Sequence, residues 1–306
     1  MLANRSSQSL KFDSRRNIRE RLIGQVMFAF ALITVLTTFG VVWSLASETF
    51  AFFREISLWS FLTDVRWTPL FADARYGILP LVNGTLMLTF IALIVGIPLG
   101  LLSAIFLSEY ADPALRTRVQ PVLELLAGIP TVVFAYFALL FLTPLFQQFI
   151  PGLNIFNPLT AGIVLGFALI PYIASVSVDA MQAVPRGMRE AGYGLGATKY
   201  EVVRKVVIPA ALSGIVASVI LAASRAIGET MIAAVAAGQQ PNLSLDPRQT
   251  IATMTAFIVQ AATGDQPAGS LASRALYAVA ATLFVITFVL NVTAQRIVEK
   301  YGERYE

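Results

Sequence analysis

Two charged side chains in an otherwise apolar stretch are the first chemistry this sequence offers. Arg225 and Glu229 stand in Ser224-Arg225-Ala226-Ile227-Gly228-Glu229-Thr230, inside a segment with no other charge between Lys205 and Asp246. A spacing of four puts both on one face of a helix, where they would form an ion pair. A charge at bilayer depth costs roughly 2.5–3.5 kcal/mol on insertion scales, and such residues face a bundle interior or a water-filled path. The default reading of this pair is therefore functional. A buried pair that only fixes helix packing is the competing structural reading.

The surroundings support membrane depth. Of 306 residues, 57% are hydrophobic and 13% are charged, against about 25% charged in a soluble domain. The chain reads as an all-α integral membrane protein, because its apolar runs are continuous and do not alternate as barrel strands would. It has no Cys and no His. That removes Cys/His zinc sites, haem ligation by His, thiol chemistry and Ser-His triads. No soluble block is long enough for a nucleotide-binding domain, and no G-x-x-x-x-G-K-[ST] loop occurs. No catalytic residue, metal ligand or cofactor is expected.

Apolar runs and turn residues predict six transmembrane helices, at about 22–47, 78–108, 122–146, 158–179, 206–237 and 272–295. They make up a transmembrane domain over 22–298, between a basic tail at 1–21 and a short tail at 299–306. The first run, about 39 Å long at 1.5 Å per residue, exceeds the apolar core of a cleaved signal peptide and is read as a retained span. Pro144, Pro151-Gly152 and Asn157-Pro158 divide the uncharged stretch 125–178 into two spans. Sixteen of the 22 basic residues fall in segments assigned to the cytoplasm and five outside, which places both termini in the cytoplasm. Glu124 and Asp179 read as charges at span ends. The aromatic loop 48–77 reads as an interfacial belt, with a partner-docking surface as the second reading. Residues 250–262 are too short to cross and read as an interfacial or re-entrant helix.

The loop 180–205 carries a spaced motif: Glu190-Ala191-Gly192, then Gly196, Ala197 and Thr198, then Val206-Val207-Ile208-Pro209. Gly194 and Gly196 permit a sharp turn, and Thr198 to Arg204 can form a short helix lying along the membrane. A plain solvated loop is the bland alternative; a potassium-filter or nucleotide-turn reading of Gly192-Tyr193-Gly194 lacks the necessary context. The spacing resembles the signature of ABC importer permeases, with Gly192 in place of an alanine. Ser224 to Thr230 resembles the fifth-span motif of phosphate importer permeases, as do Ile78 to Leu86, Ala104 to Tyr110, Leu123 to Pro130 and Ala262 to Asp265. The tryptophan-containing first outer loop is similar to the PstC type.

That resemblance implies a type I ABC importer permease fold and a multi-pass place in a bacterial inner membrane. It implies no enzyme activity in this chain, with ATP hydrolysis on a separate subunit. The implied partners are a second permease (PstA type), two ATPase subunits (PstB type), an external phosphate-binding protein (PstS type), inorganic phosphate and the lipid bilayer, with no nucleic acid. Glu190, Ala191, Gly192, Gly196, Ala197, Thr198 and Pro209 become the expected ATPase-coupling residues. Arg225 becomes the principal substrate ligand, since guanidinium binds phosphate through two parallel hydrogen bonds; Thr230 is a weaker one. Glu229 is a candidate in either of two roles, holding Arg225 when no ligand is bound or accepting a hydrogen bond from a protonated phosphate oxygen. A sulfate or molybdate importer, an ion-coupled secondary transporter and a membrane scaffold are the alternatives.

Overall fold

The computed structural model describes residues 14–69, 71, 73–264, 266–267 and 269–301, with side chains throughout except at 14–19, 124 and 297–301. Residues 1–13 of the basic tail, residues 302–306, Asp265 and the side chain of Glu124 lie outside the described residues. Among those described, the chain is helical, and its one isolated bridge pairs Trp67 with Tyr76.

Two compact units divide the chain after Glu48. The first holds most of α1 (Ser14–Glu55), whose Phe28, Phe30, Phe39 and Trp43 are all exposed. Its Thr34 and Thr38 hydroxyls donate to the Phe30 and Thr34 carbonyls, which satisfies these two donors within the helix. The second unit holds α2 (Leu58–Thr63), α3 (Leu79–Ile105), α4 (Pro113–Ala127), α5 (Thr131–Phe137), α6 (Thr143–Gln147) and α7 (Pro158–Gln182). It continues with α8 (Arg186–Gly194), α9 (Lys199–Val202), α10 (Ile208–Ala210), α11 (Leu212–Ile227), α12 (Met254–Thr263) and α13 (Leu271–Tyr301). Four π-helical turns interleave them, at Phe106–Tyr110, Ala138–Leu142, Val203–Val207 and Ala233–Ala237.

Four straight helical runs are long and apolar enough to cross a membrane: Glu20–Glu55, Leu79–Tyr110, Pro158–Gln182 and Leu271–Arg296. Two bent pairs bring the number to six if each is one span: Pro113–Ala127 with Thr131–Gln147, at 83°, and Lys199–Ala210 with Leu212–Ile227, at 69°. The sequence predicts one span in each of these places, at 122–146 and 206–237, with Pro130 as a kink or turn former. The first pair breaks at Pro130, which sits in extended backbone (φ −57°, ψ 132°) and has no N–H to continue a helix. The second turns at Ala211, two residues after Pro209.

Helices α3 and α7 form the centre, packed through glycines. A Cβ added at Gly166 would lie 2.7 Å from the Val95 Cβ and 2.8 Å from the Ala92 carbonyl oxygen. One at Gly100 would lie 2.7 Å from the Ile173 Cβ. Without hydrophobic driving force between helices in lipid, such close approach supplies the van der Waals contact that holds them. Leu88, Ala92, Leu165 and Leu169 fill the same core.

The aromatic loop departs from the belt reading. Phe52, Phe61 and Trp67 are fully or almost fully buried, with Trp67 edge-on to Phe257 at 4.9 Å and Phe61 edge-on to Phe52 at 5.8 Å. Only Phe50, Trp59 and Phe71 of this set stay well exposed. The rings make a packed core with α12 and α13 because edge-to-face contacts and burial reinforce each other. Helix α12 is about 15 Å long at 1.5 Å per residue, too short to cross. It is a core element: Met254, Ala256 and Phe257 are buried.

Candidate functional site

Helix α11 stops between the two charges that drew attention first. It ends at Ile227; Gly228 caps it, with its N–H on the Ser224 carbonyl at 3.2 Å. Residues 229 and 230 are non-helical, and a new turn begins at Met231. The Glu229 carboxylate, 8% exposed, accepts from the backbone N–H groups of Met231 (3.1 Å) and Ile232 (3.4 Å). A carboxylate there satisfies orphan donors and complements the positive end of the following turn. The Glu229 carbonyl accepts from the Thr255 hydroxyl of α12 at 2.7 Å, and the Thr230 hydroxyl donates to the Gly228 carbonyl at 3.2 Å.

The predicted ion pair is therefore corrected. Among the described residues none joins Arg225 to Glu229, because the helix that would have stacked them is broken at Gly228. Arg225 is exposed, and its guanidinium lies over the face of Tyr172 from α7, 4.0 Å from the ring centre. Such a contact uses the π faces of both groups, so the guanidinium keeps its in-plane N–H groups free. Tyr172 is itself held by its hydroxyl, which donates to the Ala127 carbonyl at 3.4 Å. Next to Arg225, the Ser224 hydroxyl donates to Asn291 of α13 at 2.8 Å. Tyr172 and Asn291 escaped sequence reasoning; each is distant in the chain and has no spacing signal.

The motif loop folds as two short helices. Glu190, Ala191 and Gly192 lie on α8, with Glu190 and Ala191 exposed. Gly196 turns the chain at φ +80°, a conformation that suits glycine. Thr198 then caps α9: its side chain accepts from the Glu201 N–H, and Glu201 returns a bond to the Thr198 N–H at 3.0 Å. Ala197, half-buried, bonds back to the Gly192 carbonyl at 3.2 Å. A Cβ on Gly192 would sit 3.0 Å from a Val202 methyl, so an alanine there would have to displace that methyl by a few tenths of an ångström. Pro209 lies in the first turn of α10, just before the bend at Ala211.

A buried charge pair ties this loop to the core. Arg189 of α8 meets Glu109 at 3.0 Å, with their side chains only 17% and 7% exposed. The same guanidinium donates to the Val184 and Met181 carbonyls at 2.6 and 2.7 Å, just beyond and at the last turn of α7. In the sequence Arg189 is one of several basic residues of the 180–205 loop, and no spacing singles it out. A polar cavity of about 440 Å³ adjoins the pair, lined also by Arg116, Arg186 and Glu190.

Residues 96–302 match the family described as binding-protein-dependent transport system inner membrane component. The chain is 33% identical over 299 residues to the probable ABC transporter permease protein YqgH of Bacillus subtilis, covering 94% of this chain and 96% of that one. It is 33% identical over 303 residues to the phosphate transport system permease protein PstC of Haemophilus influenzae, covering 92% and 93%. A chain of the inward-facing MetNI methionine ABC transporter shares the fold at TM-score 0.54 and 19% identity, over 74% of this chain and 95% of that one. The fold is that of a type I ABC importer permease, and the chain belongs to the binding-protein-dependent transport system inner membrane component family.

Proposed function

We propose that the chain is the permease subunit of an ATP-driven importer of inorganic phosphate, in a bacterial inner membrane, with both termini cytoplasmic. Relatives named as phosphate transport permeases favour this cargo. The observation that carries the reading is Arg225: one cation in a long apolar stretch, seated on a ring with its donor fork open. Two parallel N–H groups match two oxygens of a tetrahedral oxyanion. Glu229, occupied by backbone N–H groups, does not compete for that fork. Thr230, whose hydroxyl donates to the Gly228 carbonyl, is the weaker candidate ligand.

The permease domain runs over 22–298, and the translocation path is shared with a second, PstA-type permease. Two PstB-type ATPase subunits lie beneath the permease pair. This chain couples to the ATPase through Glu190, Ala191, Gly192, Gly196, Ala197 and Thr198 of the 180–205 loop and through Pro209 just beyond it. A PstS-type binding protein delivers phosphate from outside. ATP binding closes the ATPase pair and turns the permeases outward; hydrolysis resets them inward. Phosphate undergoes no covalent change in this chain.

The test is uptake of labelled phosphate into vesicles holding the co-expressed set. Arg225→Ala is expected to abolish ATP-driven uptake while the complex assembles in normal amounts. Near-normal uptake by that variant would remove Arg225 from the path. Uptake of sulfate in preference to phosphate by the unaltered set would change the cargo.

A further inference from the structure

Both loop helices make side-chain contacts with one turn of the membrane core, the π-helical turn Phe106–Tyr110 that ends α3. Its closing bond runs from the Ala111 N–H to the Phe106 carbonyl at 2.8 Å, five residues back. A π turn carries one residue more than an α turn and so re-aims the side chains that follow. Here it presents Glu109 to Arg189 of α8 and Tyr110 to Lys199 of α9, whose ammonium lies 4.8 Å from the ring centre. Both helices of the loop thus hold the same turn. They also hold each other, through the close packing of Gly192 on Val202.

Arg189 has a second hold. Its guanidinium bonds the Glu109 carboxylate and also the Met181 and Val184 carbonyls. It therefore grips α3 and α7 together, and these two are already locked by their glycine contacts. Helix α7 carries Tyr172, on which Arg225 is seated. The chain of contacts runs from the loop through Arg189 into the α3–α7 pair, and from there to Tyr172. Span five offers a less direct path, because it is bent by 69° at Ala211.

We propose that Arg189 and Glu109 are positioning residues that form the mechanical joint between the 180–205 loop and the anion site. Displacement of the loop moves the α3–α7 pair as one body and shifts the seat of Arg225. The pair itself touches neither the anion nor ATP. This inference rests on the importer reading above. Removing one partner of a buried ion pair leaves the other uncompensated, so the joint loosens when either charge is lost.

The experiment uses the complete co-expressed complex in proteoliposomes and measures phosphate taken up per ATP hydrolysed. Glu109→Gln is expected to keep ATPase co-purification and ATP hydrolysis while uptake per ATP falls roughly tenfold, within the usual range of coupling between sites. The chain has no cysteine, so a Glu109→Cys/Arg189→Cys pair can be bridged selectively in it by a short bifunctional thiol reagent. Bridging is expected to restore uptake per ATP, and the unbridged pair is expected to stay uncoupled. Unchanged coupling in Glu109→Gln, or equal coupling in the bridged and unbridged pair, would overturn the joint. If Glu109→Gln does not assemble, the bridged pair decides alone. Failure of the unaltered chain to co-purify with an ATPase would instead sink the importer reading.

Discussion

Arg225 and Glu229 do separate jobs. Arg225 is seated by a ring; Glu229 caps a turn. Tyr172 should then set how the guanidinium is presented. A cation–π contact at an exposed site is worth about 0.5–1 kcal/mol, so Tyr172→Leu is expected to raise the apparent KM for phosphate about two- to fivefold, with Tyr172→Phe close to the original. A uniform loss of maximal rate in both, with KM unmoved, would make Tyr172 a mere packing residue. For Glu229 the cap makes a distinct forecast. Glu229→Gln keeps a capping oxygen, whereas Glu229→Ala loses it at a cost of about 1 kcal/mol. Assembled complex, measured by co-purification, should drop in Glu229→Ala and hold in Glu229→Gln. The reverse order would return the carboxylate charge to the anion site. None of this was visible from the i, i+4 spacing, which assumes an unbroken helix.

At the level of elements, the glycine contacts between α3 and α7 are the most sensitive to change. Gly166→Ala puts a methyl against the Ala92 carbonyl and Val95, and such overpacking costs typically about 1–3 kcal/mol. Thermal unfolding of the purified complex should shift down, while Gly187→Ala, with nothing within 4 Å, should leave it unmoved. A second element-scale forecast concerns the segment 238–253, which bonds along residues 154–159: Asn154 to Arg248, Leu159 to Pro247 and Thr250 to Phe156. Hydrogen bonds from Arg248 hold the Asp246 carboxyl below its usual value. A depressed carboxyl supports folding above its unfolded pKa and loses that support as pH falls through the folded one. Hydrogen-exchange protection of this segment should persist to more acid pH in the original chain than in Arg248→Gln.

The same scale shows what the sequence could reveal. Apolar runs exposed the helical spans, and the short helix after Gly196 is legible in the motif loop. The Thr198–Glu201 cap that starts it emerges only in the structure. Breaks were harder to see. Pro130 advertises one, but Ala211 is an ordinary residue two positions after Pro209, and its type alone does not mark a bend. Trp67 and Phe257 looked like membrane-interface rings because burial between segments 190 residues apart leaves no periodic trace.

For the molecule as a whole, the contact between Arg225 and Tyr172 bears on how fast cargo leaves. Between Lys205 and Arg248 this chain offers an anion a single cation. Its fork needs no bond broken before it receives a ligand, and no second arginine from this stretch is there to close over it. If Arg225 is the anion ligand proposed above, residence on such a contact is expected to be brief. A conducting path has to release what it binds, and a site built as a stepping stone in this way suits passage better than storage. On the proposed function, high-affinity capture is then expected of the external binding protein.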